Sequence, residues 1–222
     1  MNPLRHDFIS TCLSSQPSPL TRKRRYLDIG CGGGIFAESA ARLPQTERVL
    51  AIDPSSEVIP VAKSHARCDP LLMQPDRLIY ENKAVEDLPL PQAPEEQFDI
   101  VTLFEVVEHI SRPAPFLDSC LPFVKSGGWL ILSTIARTWT SWLTTKVVAE
   151  DVVGLVPRGT HDWEKYINEE ELRGFFHGKQ GWVGGGGMRS QGVVFVPGMG
   201  WRVVPGGERV GNYFFGVRRE GG

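Results

Sequence analysis

The stretch Asp28-Ile29-Gly30-Cys31-Gly32-Gly33-Gly34 constrains this chain more than any other. It follows a strand-length apolar run, Tyr26 to Ile29, and precedes a helical stretch from about Ile35 to Leu43 that Pro44 terminates. Glycine lacks a Cβ and tolerates backbone angles that other residues avoid, so a strand passing through such a cluster into a helix brings main chain close to a ligand. Val49 to Ile52 reads as a second strand ending in Asp53, where a carboxylate can accept both hydroxyls of a ribose. The cluster alone is equally a tight strand-to-helix turn; the acid one strand on makes a nucleoside-like ligand the stronger reading. The loop reads GxGGG rather than GxGxxG, which disfavours a pyrophosphate and favours an adenosine cofactor without one.

From Arg24 to Ser133 short β-rich runs alternate with helical stretches, the pattern of βαβ units and a mostly parallel sheet. Ser55 or Ser56 can cap a helix running toward Cys68, and Leu78 to Tyr80 predicts a third strand. Phe98 to Phe104 is a near-continuous apolar strand of the kind covered on both faces, Pro113 to Val124 predicts a helix, and Gly128 to Ser133 a fifth strand. Beyond Thr134 the character changes. Trp139 to Gly154 and Asn168 to Phe176 read as helical, and Val193 to Val196 with Tyr213 to Arg218 as a terminal antiparallel pair. The expectation is therefore one α/β domain over 1–222, a doubly wound, mostly parallel seven-stranded sheet of Rossmann-like type with an antiparallel terminal strand pair. Residues 135–180 would form a lid or membrane-contacting insertion, because Trp139, Trp142, Leu143, Val147 and Val148 recur at near-helical spacing around Lys146. Ordinary packing of that helix on the sheet explains the same spacing.

Composition narrows the function classes. Lys and Arg number 24 against 26 Asp and Glu, so no overall field draws in nucleic acid. No apolar run approaches the roughly 20 residues that span a bilayer. Cys12, Cys31, Cys68 and Cys120 lie far apart without a CxxC pair, which argues against a zinc ribbon or a disulfide framework and for a reducing compartment. Met1 to Leu13 shows neither a secretory core nor an arginine-rich transit pattern, so targeting information is expected to be absent or removed. Arg22-Lys23-Arg24-Arg25 reads as a solvated basic leader, with anionic lipid as its alternative partner.

The glycine motif, Leu27 to Gly34, resembles the first motif of the class I S-adenosylmethionine-dependent methyltransferases. The likeness extends to Ala37-Glu38-Ser39, Phe104-Glu105-Val106-Val107-Glu108-His109, Leu132-Ser133-Thr134-Ile135, Val156-Pro157-Arg158-Gly159-Thr160-His161-Asp162-Trp163 and Asn212-Tyr213-Phe214. With these blocks the chain resembles the ubiquinone-biosynthesis O-methyltransferases, in particular mitochondrial fungal forms. The resemblance implies S-adenosylmethionine held by Asp28, Gly30, Gly32, Asp53 and Phe104, with Arg5 at its carboxylate. It also places Val85 and Glu86 near the adenine, although that loop equally suits plain surface. Further implications are a polyprenylated phenolic substrate, peripheral contact with the matrix side of the mitochondrial inner membrane, and neighbouring subunits of a biosynthetic complex.

Glu105, Glu108 and His109 stand at i, i+3 and i+4 and share a face if the strand end continues as a helical turn. Such a face can hold a divalent cation, and the resemblance implies magnesium; capping and pocket lining account for the same residues without one. The chemistry gives the cation a role. A phenolic oxygen has a pKa near 10, so methyl transfer at neutral pH needs a cation or a base, for which His109 and His161 are the candidates. Holding oxygen and methyl in line at about 3 to 3.5 Å supplies much of the acceleration.

Overall fold

The computed structural model describes residues 1–16, 22–136, 167–182, 187–196, 198–209 and 211–221. Strands β1 (Arg24–Ile29), β2 (Thr46–Ile52), β3 (Leu78–Glu81), β4 (Phe98–Phe104), β5 (Val124–Ile135), β6 (Met188–Val196), β7 (Gly200–Val203) and β8 (Asn212–Arg218) form one sheet in the order β3-β2-β1-β4-β5-β8-β6-β7. The strands from β3 to β5 pair in parallel. β8, β6 and β7 follow antiparallel.

Residues alternate across each strand, so neighbours in sequence serve opposite faces. Leu27, Val101, Leu103, Leu130 and Leu132 enter one core, with helices α4 (Pro113–Cys120) and α5 (Glu169–His177) supplying Phe116, Leu117, Leu172 and Phe176. Tyr26, Ile100, Trp129 and Ile131 enter the other, beneath helices α1 (Asn2–Ser14), α2 (Ile35–Ala41) and α3 (Val58–Ala66). Every residue of β4 is buried, as a central strand covered on both sides requires.

The doubly wound class expected from the sequence is present, with one strand more. β7 pairs with the second half of β6, Phe195 opposite Trp201, while the first half pairs with β8. Gly198 and Gly200, both at positive φ, make the reversal between β6 and β7, where other residues would be strained. Two predicted boundaries shift: α4 stops at Cys120, and β5 begins at Val124, because Pro122 and the turn Leu121–Phe123 end the helix early.

The sequence reading assigned no structure to the N-terminus, which instead forms α1, with Phe8, Ile9 and Cys12 buried. All four cysteines are free. Among the described residues no helix is long and apolar enough to cross a membrane. Most of the lid expected over 135–180, with His161 and the tryptophan-bearing stretch, lies outside the described residues.

Candidate active site

The site is built where β1, β2 and β4 end. β1 hands the chain to the glycine turn, which is pinned to the next strand by Gly30 and Cys31 donating to the Ile52 carbonyl at 2.8 and 3.0 Å. Gly34 then starts α2 at φ +84°, and a Cβ there would collide with the Tyr80 hydroxyl. Gly32, at φ +51°, is different: a Cβ built on it meets nothing within 4 Å. Gly32 and its neighbour Gly33 face open space, whereas the space beside Gly30 is taken up by Val106.

Asp53 is held at the edge of that space. Its carboxylate accepts from the Gly32 N–H and the Ser55 N–H, both at 2.9 Å, and its carbonyl accepts from Asn82 at 2.9 Å. Each carboxylate oxygen retains a lone pair after these bonds. Asp28 lies behind the turn, almost wholly buried, and accepts from Thr102 Oγ1 at 2.7 Å. Burial pushes its carboxyl up to about 7, opposed by the Thr102 hydrogen bond and the Arg5 charge.

Helix α1 delivers Arg5 to the same edge. Asn2 donates to Ser39 on α2 at 2.9 Å, and His6 meets the same hydroxyl at 2.8 Å. The Arg5 guanidinium then lies 4.8 Å from the Phe104 ring centroid and donates to Glu105 Oε1 at 2.7 Å. Phe104, the last residue of β4, packs edge-on against Phe36 at 4.7 Å. Val85 is buried in the core, and the exposed Glu86 lines a cleft with Ile110 and Arg112.

The expected cation site is not assembled. Glu105 has φ +59°, and Val107–His109 is a tight 3-10 turn, so the three side chains do not share a helical face. Glu105 is taken by Arg5, Glu108 is buried against Thr134 Oγ1 at 3.4 Å, and His109 is exposed. Burial pushes the Glu108 carboxyl up to about 7, with Glu105 adding to the shift. Among the described residues no group of three His, Cys, Asp or Glu side chains can hold a metal ion. The helical spacing read from the sequence fails because residue 105 turns left-handed, which also brings its N–H to the Ser133 carbonyl and hydroxyl, at 3.2 and 3.1 Å.

Sequence reasoning missed the roles of Thr102, which bonds the Asp28 carboxylate, and of Ser133 and Asn82, which hold the main chain of Glu105 and Asp53. Thr102 and Asn82 lie in no motif and Ser133 only within the block Leu132 to Ile135; strand adjacency reveals what they bond. Arg5 had no signal beyond the resemblance, because nothing in Met1 to Arg5 shows that a helix will dock there.

The chain matches the family model described as Methyltransferase domain over residues 5–181. It is 43% identical over 201 residues to the mitochondrial ubiquinone biosynthesis O-methyltransferase of Candida albicans, covering 87% of this chain and 57% of that protein. It is 38% identical over 179 residues to the ubiquinone biosynthesis O-methyltransferase of Cereibacter sphaeroides, covering 78% of this chain and 68% of that one. Among solved structures, the magnesium protoporphyrin IX methyltransferase of Synechocystis PCC 6803, determined with bound SAH, superposes with a TM-score of 0.64. That match has 14% identity and covers 99% of this chain and 83% of the other. This likeness supports the fold. The chain spans about three fifths of the length of the fungal relatives it matches. It belongs to the ubiquinone biosynthesis O-methyltransferase family.

Proposed function

We propose that this member of the family binds S-adenosylmethionine at the Gly32–Asp53 crevice and methylates a phenolic hydroxyl of a polyprenylated dihydroxybenzoate or quinol in ubiquinone biosynthesis. The observation that carries the reading is the Asp53 carboxylate held by the Gly32 and Ser55 N–H groups beside a glycine turn that faces open space. S-adenosylmethionine, when bound, supplies a methyl group made electrophilic by its sulfonium.

The residues divide the work. Asp53 offers its remaining lone pairs to ribose hydroxyls, and the glycine turn lets the main chain approach without a Cβ in the way. Arg5, on the rim beside Glu105, is placed to grip a carboxylate with two parallel N–H groups. Phe36, Phe104 and Phe214 form an apolar wall below it, which excludes water. Val85 contributes through its backbone, its side chain being spent in the core.

Magnesium does not fit the arrangement of Glu105, Glu108 and His109, and no step is given to it. Deprotonation of the phenol falls to a histidine, with His109 and His161 the candidates. The mitochondrial names of the relatives support a mitochondrial site of action; contact with the matrix side of the inner membrane beside other subunits of the pathway belongs to the same proposal and rests on the sequence resemblance.

The test is methyl transfer from S-adenosylmethionine labelled in its methyl group. The expected result is label appearing on a prenylated catechol faster than on the same ring without a tail. Equal rates would move the assignment to another phenolic acceptor, and no turnover with cofactor bound would point to a non-catalytic subunit.

A further inference from the structure

The opposite rim of the sheet, where β1, β2 and β4 begin, carries a feature that the methyl-transfer reading does not use. β1 and β2 slip register between Arg24 and Arg25: Arg24 pairs with Thr46, but Arg25 pairs with Arg48, which leaves Glu47 as an extra, bulged residue. The bulge sets two arginines abreast on neighbouring strands, facing the same way. Like charges in directly paired positions oppose one another, so the arrangement is destabilising unless something between them compensates.

Among the described residues no carboxylate bonds either guanidinium; what compensation there is comes from the shared Phe98 ring, from the Glu47 charge, and from Asp99, which accepts the Arg25 backbone N–H at 2.9 Å. The two guanidinium carbons lie 5.5 and 5.9 Å from the centroid of the same Phe98 ring, and the Nε atom of each is buried without a hydrogen-bond partner. Neither makes an ion pair among the described residues, whereas their neighbour Arg22 is bonded through both terminal nitrogens to the buried Asp99. Burial, and after it the Arg48 charge, lower the pKa of Arg25, and the Glu47 and Asp99 charges offset part of that shift. Acids face the cleft too. Glu47, Glu95 and Glu96 stand exposed on its rim, where water hydrates them, and Glu96 is occupied by the Gln92 N–H at 2.7 Å.

The two arginines open into a cleft of about 550 Å³ that continues along Leu88 and Leu90, the latter 60% exposed. A guanidinium offers planar pairs of N–H groups that match the oxygens of a phosphate, and two of them side by side suit a group carrying more than one negative charge. We propose that this rim is a binding subsite for a phosphate-class oxyanion, held jointly by Arg25 and Arg48, with an apolar body of the ligand lying along Leu88 and Leu90. The site lies at the other end of the strands from the glycine turn, so the two can be occupied together.

Thermal unfolding of the full chain in inorganic phosphate, against sodium chloride at matched ionic strength, tests the proposal, with cosedimentation on phosphatidylcholine vesicles carrying phosphatidylglycerol as a second arm. The expected result is a shift of a few degrees in phosphate that disappears in Arg25→Met and in Arg48→Met. Both variants should keep wild-type affinity for S-adenosylmethionine, and in chloride Arg48→Met should unfold no lower than wild type, since it removes a repulsion. Arginine-dependent cosedimentation without a phosphate shift would identify a lipid headgroup as the source; a phosphate shift without cosedimentation would identify a soluble phosphate ester. A wild-type chain that responds to neither, or variants that respond as wild type does, would overturn it.

Discussion

The two ends of the same parallel strands carry opposite chemistry. At their C-terminal ends stand Asp28, Asp53, Glu105 and Glu108, with one arginine, Arg5, brought in from α1. At their N-terminal ends stand Arg22, Arg24, Arg25 and Arg48, with one buried acid, Asp99, and the exposed Glu47, Glu95 and Glu96 on the rim. The acids are individually anchored: Asp53 by two backbone N–H groups, Asp28 by Thr102, Glu105 by Arg5. Two of the basic groups, Arg25 and Arg48, have an unpartnered Nε beside a shared aromatic ring. An anchored acid holds its shape before a ligand arrives, which suits a cofactor bound by precise hydrogen bonds. Two guanidinium groups that share one aromatic ring and bond no carboxylate keep N–H groups for an anion. The difference teaches that on this sheet the anchored acids gather at one end of the strands and the paired arginines at the other.

The largest expected break in the comparison comes from Asp28. Its folded-state pKa, about 7, stands above the ordinary carboxylate value of about 3.9. Between those values the folded chain keeps a proton that the unfolded chain releases, so the group costs stability as pH rises through about 4 to 7 and the cost is constant above that. Asp28→Asn, which keeps an acceptor for Thr102, removes the cost. The variant should therefore gain on wild type with rising pH, by at most about 4 kcal/mol at pH 8. Chemical denaturation across pH 4 to 8 measures it, and a difference that does not change with pH contradicts the assignment.

Asp53→Ala should weaken S-adenosylmethionine roughly hundredfold, about 3 kcal/mol for two hydrogen bonds to a charged acceptor, while leaving the phosphate response of the far rim intact. Loss of both responses together would mean that the rims are not independent. Arg5→Ala removes the largely buried partner of the half-exposed Glu105 and should cost about tenfold in cofactor affinity, by equilibrium dialysis. The smallest effect belongs to Arg48→Met, whose S-adenosylmethionine affinity should stay within about twofold of wild type, well under 1 kcal/mol.

Legibility in the sequence follows how local each cause is. The β1–glycine–α2–β2–Asp53 unit was readable because its strand runs, its glycines and its acid act over short spans, and the structure places them as expected. α1 was not, because its buried positions Phe8, Ile9 and Cys12 are few and sit among polar residues; docking against Trp129 and Phe214 makes it a helix face. β7 was hidden for a related reason. Four residues, the first of them Gly200, give no period, and only pairing with β6 extends them. The turn after β4 misled through its spacing, since i, i+3, i+4 assumes an α-helix that Glu105 at positive φ cannot begin. The paired arginines were visible only as part of a basic run, because the bulge that sets them abreast belongs to strand pairing.

Calorimetric titration of wild type and Gly32→Val with S-adenosylmethionine and, separately, with NAD tests most directly whether the empty space over the glycine turn receives a sulfonium nucleoside. One-to-one binding of S-adenosylmethionine to wild type, at least a hundredfold weaker in a Gly32→Val chain that still unfolds cooperatively, is the predicted result. Equal affinity in both chains, or heat with NAD and none with S-adenosylmethionine, would contradict it.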